Sequence, residues 1–85
     1  MSDIGIDWER LARAETNEIR MAIIETMIAA PRDPGWSANK LSQALKLPLS
    51  NVSYHVNALR DAGLIVQTGT TPRRGAIEHF FALVL

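Results

Sequence analysis

The 85-residue chain is predicted to fold as an α+β domain, mainly α, with about four helices followed by a two-stranded β-hairpin. Three observations predict it. Ile19, Ile23 and Met27 recur every fourth residue, and Ile24 with Ile28 widens that stripe, as in a helix with one buried face. The stretch Ser37–Ile65 then reads as a short helix, a tight turn and a second helix that stops at Ala62-Gly63. Beyond it, two runs rich in β-branched and aromatic residues, 64–68 and 77–83, read as strands. A helix-turn-helix feeding a hairpin is the winged helix-turn-helix arrangement, whose second helix has the shape to lie in the major groove of DNA.

The elements follow in order. Asp7 caps a short helix over roughly 7–15 that buries Trp8, Leu11 and Ala12. Thr16 or Asn17 caps the next, unless the two form one continuous helix. Pro31 and Pro34-Gly35 stop it and open a loop through Trp36. Ser37 caps the third helix, which buries Leu41, Ala44 and Leu45, and Lys46-Leu47-Pro48 makes the turn. The fourth helix runs from about Leu49 to Ala62, with Gly63 as the left-handed residue that ends it. Residues 69–75, bounded by two glycines, read as a loop too long for a two-residue hairpin turn and suited to a wing. The whole chain, 1–85, is thus expected to be one domain: an N-terminal helical segment over 7–30, the helix-turn-helix over 37–62 and the wing over 64–84.

Composition narrows the chemistry. Hydrophobic content of 47% supports a packed core at a length where one core is only just sufficient. The absence of cysteine excludes disulfides, thiolate metal sites and thiol catalysis. Met1–Asp7 lacks the basic flank and apolar run of a signal peptide, and no apolar run approaches the roughly 20 residues that span a bilayer. A cytoplasmic location without membrane contact is expected.

Net charge is zero, but it is unevenly distributed. Residues 1–36 carry Asp3, Asp7, Glu9, Glu15, Glu18, Glu25 and Asp33 against four arginines, a net of −3. Residues 37–85 carry Lys40, Lys46, Arg60, Arg73 and Arg74 against Asp61 and Glu78, a net of +3. A basic half joined to an acidic half points to an anionic partner for the C-terminal part.

On a wheel of about 100° per residue, Val52, Val56 and Leu59 of the fourth helix fall on one side, with His55 at its edge. Ser50, Tyr54 and Asn57 cluster opposite, flanked by Ser53 and Ala58, with Asn51 further round. A merely solvated helix face usually carries Lys and Glu, whereas Ser, Asn and Tyr are poorer helix formers. Asn pairs with adenine, Ser and Tyr bond base edges or phosphates, and Ala58 permits close approach to the groove floor. Arg73 and Arg74, beside Thr70 and Thr71 near the wing tip, suit a narrow minor groove or flanking phosphates. Lys40, Lys46, Ser37 and Asn39 are further candidates for phosphate contact. His55 and His79 have no carboxylate cluster at metal-ligand spacing, and Ser53 and His55 diverge on a helix, so neither a metal, a cofactor nor a catalytic pair is expected.

Several segments together resemble the winged-helix regulators of the arsenic-repressor-like (ArsR) superfamily. They are Leu11–Ala14, Ile19-Arg20 before Ile23-Ile24, Pro48–Val56, Ala62–Ile65 and Pro72–Phe81. The likeness spans roughly residues 8–83 and is nearest to small actinobacterial members and their phage-borne relatives. It implies DNA binding, usually as a dimer, with Leu49–Ala62 as reader. Metal-sensing members place cysteines on the third helix, where Lys40–Leu45 has none, so a thiolate sensor is excluded. Lys46 stands where glycine is frequent, and Glu15 where relatives carry an apolar residue. Many members continue into a dimerising helix past the wing, whereas this chain stops at Leu85; a homodimer is therefore expected through residues 4–30, where Ile4, Trp8 and Leu11 are available.

The expected function is a sequence-specific, double-stranded-DNA-binding transcriptional regulator, a repressor acting by promoter occlusion, and not an enzyme. The rival reading is a winged helix used for protein contacts through the same Tyr54 face.

Overall fold

The computed structural model describes residues 16–84, with three helices and three strands in the order α1 (Thr16–Ala29), β1 (Trp36–Ser37), α2 (Ala38–Leu45), α3 (Leu49–Asp61), β2 (Ile65–Arg73) and β3 (Ala76–Leu83). The expected helix over 7–15 and the Trp8, Leu11 and Glu15 readings lie outside the described residues. Thr16 and Asn17 are both already helical, so neither is the cap of α1.

Helix α1 buries Ile19, Ile23 and Met27 as its spacing predicts. The buried Thr26 hydroxyl is satisfied within the helix, donating to the Ala22 carbonyl at 2.8 Å. Ile28 departs from the expected stripe and is 61% exposed. It belongs to a last turn that runs on into solvent, where Ala29 and Ala30 are exposed too.

The loop after α1 is held by Trp36, not left open. Its indole N–H donates to the Ala30 carbonyl at 2.7 Å, and the Arg32 guanidinium lies 4.3 Å above the ring. Gly35 is required here because a Cβ would meet the Phe81 carbonyl oxygen at 2.3 Å. That close approach lets Trp36–Ser37 pair with Phe81 and Phe80, adding a third strand to the expected two-stranded wing, in the antiparallel order β1-β3-β2. A two-residue strand has no periodicity to read; only its partner defines it.

The hairpin also differs from expectation. Strand β2 continues to Arg73 and β3 begins at Ala76, so residues 69–73 are strand and the turn is only Arg74-Gly75. Both turn residues have positive φ, 47° and 81°, the backbone that lets a two-residue turn match the strands' twist. Gly69 does not end the strand. It follows a bulge at Thr68, since Gln67 pairs with Phe81 but Gly69 pairs with the adjacent Phe80. Pro72 pairs with Ile77 on the edge strand, at the position next to the turn pair, where no ladder N–H is needed.

The helix-turn-helix itself follows its local signals. Ser37 caps α2, its hydroxyl oxygen accepting from the Lys40 N–H at 3.1 Å. Lys46 ends α2 in the left-handed conformation (φ 56°), and Ser42 ties the turn by donating to the Leu47 carbonyl at 2.6 Å. Helix α3 closes as a Schellman motif: Gly63 (φ 78°) donates to Arg60, and Leu64 donates to Leu59 at 3.0 Å. Leu41, Leu45, Val52, Val56 and Leu59 meet Ile23 of α1 and Phe81 of β3 in one core. Each such side chain contributes roughly 1.5–3 kcal/mol on burial. This packing presents α3 beside the sheet.

Candidate nucleic-acid interface

Helix α3 divides as the wheel predicts, with one change. Val52, His55, Val56 and Leu59 are buried, while Ser50, Tyr54 and Asn57 are exposed, Tyr54 by 65%. Asn51, Ser53 and Ala58 are half-buried.

The change is His55, which is 3% exposed rather than at an edge. Its Nδ1 accepts from the Arg20 Nε–H of α1 at 3.3 Å, and its ring stands edge-on to Tyr54 at 5.2 Å. Burial, reinforced by the Arg20 charge, holds its pKa below the ordinary histidine value, so the imidazole is neutral and locks α3 onto α1. Buried and pinned, it cannot reach DNA.

Between α3 and the hairpin lies an open groove of about 480 Å³. Ser53, Asn57 and Arg73 among the expected contacts line it, together with Asn39. Leu49, Arg60, Gln67 and Ile77 line it as well, and the sequence reading passed over these. The signal for Arg60 was present, since it follows Asn57 by three residues on the same helix face. Leu49 and Ile77 are large apolar side chains left exposed, by 47% and 60%.

The basic residues are not equivalent. Arg74 stands exposed in the turn and Lys46 is exposed at the helix-turn-helix corner. Lys40 is half-buried on α2, and Arg60 pairs with the neighbouring Asp61 at 3.2 Å. Arg73 is half-exposed and bonded to Glu78 of β3 at 3.2 Å. Ser37 is a correction: at 1% exposure, with its hydroxyl donating to the Glu78 carboxylate, it cannot touch a phosphate.

Glu78 was read only as one acid among basic neighbours. It ties the helix-turn-helix to the wing, and nothing local announces a partner 41 residues away in sequence. The Ser37 hydrogen bond first, and then Arg73, hold its carboxyl below the ordinary glutamate range although burial acts the other way.

An exposed polar helix face thus lies beside a groove lined by two arginines, each paired with a carboxylate. A family profile described as a helix-turn-helix domain matches residues 16–68, from the start of α1 into β2. The chain belongs to the helix-turn-helix domain family. Searches of curated proteins and of solved structures gave no significant match. Membership in the helix-turn-helix family supports a DNA-binding transcription regulator. Among the described residues, this helix-turn-helix domain has no helix long and apolar enough to cross a membrane, and no cluster of His, Asp or Glu placed to hold a metal.

Proposed function

We propose that the chain is an ArsR-like winged-helix repressor that reads a double-stranded operator with α3 and blocks a promoter by occupying it. The observation that carries this reading is the Ser50, Tyr54 and Asn57 face, polar, uncharged and exposed, directly opposite the side that packs into the core. Ser50, Asn51, Ser53, Tyr54 and Asn57 read base edges and nearby phosphates. Lys40, Lys46, Arg73 and Arg74 meet the backbone. The activity is binding alone, with no cofactor and no catalytic step.

One reader helix and one wing make too small a contact to select a site against a genome of competitors. The working unit is accordingly a homodimer joined through residues 4–30, on a palindrome with half-sites about one DNA turn apart. Exposed Met21 and Ile28 on α1, at 53% and 61%, support that segment as the joint; its part before Thr16 lies outside the described residues.

Selection of bound duplexes from a random pool tests the reading. Recovery of a palindrome, and affinity that falls steeply with salt, is the expected result. No enrichment, or salt-insensitive capture of a protein partner through Tyr54, would replace it. Sedimentation on and off DNA checks the dimer; a species of 9.4 kDa in both would remove it.

A further inference from the structure

Glu78 presents a contradiction for a nucleic-acid interface. It lines the same groove as Asn57, Arg60 and Arg73, where a carboxylate repels phosphate. Its side chain is only 7% exposed, so it is not a solubilising surface acid. Its position is specified from both sides. One oxygen accepts from the Ser37 hydroxyl, and the other from Arg73 Nη1 at 3.2 Å. Ser37 in turn holds the Lys40 amide at the start of α2. A single hydrogen-bonded chain therefore runs from the helix-turn-helix, through β3, to the wing arginine on β2.

The geometry points to Glu78 as the positioning residue that makes Arg73 selective. This inference rests on the DNA-binding reading above. An unrestrained arginine on an edge strand satisfies itself with any phosphate in reach, and so adds affinity for every sequence alike. Held by one nitrogen, Arg73 keeps its remaining N–H donors but in one orientation, beside Asn57 and Arg60. It then meets an acceptor only where the duplex brings one to that wall. Glu78 meanwhile offsets the arginine's attraction for a misplaced backbone. Selectivity is raised by weakening the wrong complex.

The test compares Glu78→Gln with the wild-type protein on two probes, a duplex enriched by the wild type from a random pool and a mixed-sequence duplex. Gln keeps an oxygen for the Ser37 hydroxyl, so the cap of α2 is retained. The variant is expected to bind mixed-sequence DNA more tightly, with a salt slope steeper by about one unit. Its preference for the enriched duplex should fall by about tenfold. In an Arg73→Ala background the same change should leave the preference where Arg73→Ala alone put it, because the acid acts through the arginine. A preference unchanged by Glu78→Gln, or lowered equally in both backgrounds, overturns the proposal and leaves DNA binding standing. Arg73→Lys supplies an independent arm that keeps the charge and the acid. It should lose preference with an unchanged salt slope, and full preference in this variant would also overturn the proposal. Wild-type protein that binds neither duplex overturns this inference and the DNA reading together.

Discussion

The helix-turn-helix and the wing are neighbours in space but are specified differently. In α2 and α3 three of the four boundaries have a named local cause: Ser37 caps α2, Lys46 turns, Gly63 terminates α3, and Leu41, Val52 and Val56 are buried at 0–1% exposure. In the hairpin, seven of the nine β2 residues are exposed, all but Ile65 and Gly69, and its shape depends on pairing with β3. A region bounded by local caps and turns is specified by its own residues, while an edge hairpin takes its form from what it lies against.

The contrast is broken most severely in the core. Leu41→Ala is expected to cost about 2–5 kcal/mol, against within about 0.5 kcal/mol for Ile77→Ser on the wing. Denaturant unfolding monitored by circular dichroism measures both, and similar losses would mean that the two regions are not differently anchored. On DNA the order reverses towards the surface. Asn57→Ala or Tyr54→Ala should weaken specific binding by about 1–3 kcal/mol with little change on random duplex. Equal weakening on both would reassign those side chains to phosphate contact.

The junction between the regions is the next place to probe. Ser37→Ala should cost about 0.5–2 kcal/mol through the lost cap of α2. It should also change the acid response. The folded-state pKa of Glu78 is depressed, so its contribution is present above the ordinary glutamate value of 4.5 and is lost as pH falls through the lower folded value. Ser37→Ala narrows that gap, and unfolding curves from neutral to acid pH should show a shallower loss below 4.5 than in the wild type. His55 acts in the same direction at higher pH. Its folded pKa is also lowered, so the unfolded chain takes up the proton first and stability declines as pH drops below 6.5. His55→Gln should remove that part of the decline.

The smallest effect sharpens the comparison at the wing tip. Arg74 (φ 47°) occupies the first position of a turn that favours asparagine. Arg74→Asn should change stability by no more than about 0.5 kcal/mol, upward, while reducing the salt slope of DNA binding by about one unit. An unchanged slope would mean that the turn stands clear of the duplex.

Much of this molecule is legible from single residues and their spacing. The four-residue repeat of Ile19, Ile23 and Met27, the three helix-ending signals and the two-sided character of α3 are all local, because helix hydrogen bonds and caps join residues within a few positions. The same reasoning put Ile28 in the core and the glycine-bounded stretch 69–75 in a loop. Periodicity does not say where a helix outruns its packing partners, and glycine and proline mark bulges and edge strands as readily as turns. What only the tertiary structure decided is everything that joins distant segments: the pairing of Trp36-Ser37 with Phe81-Phe80, the burial of His55 against Arg20, and the Ser37–Glu78–Arg73 chain across the groove. The physical reason is range. A cap or an apolar stripe is satisfied within one turn of its own helix, whereas a strand edge, a buried imidazole and a buried carboxylate acquire their meaning from partners that only the folded chain brings within reach.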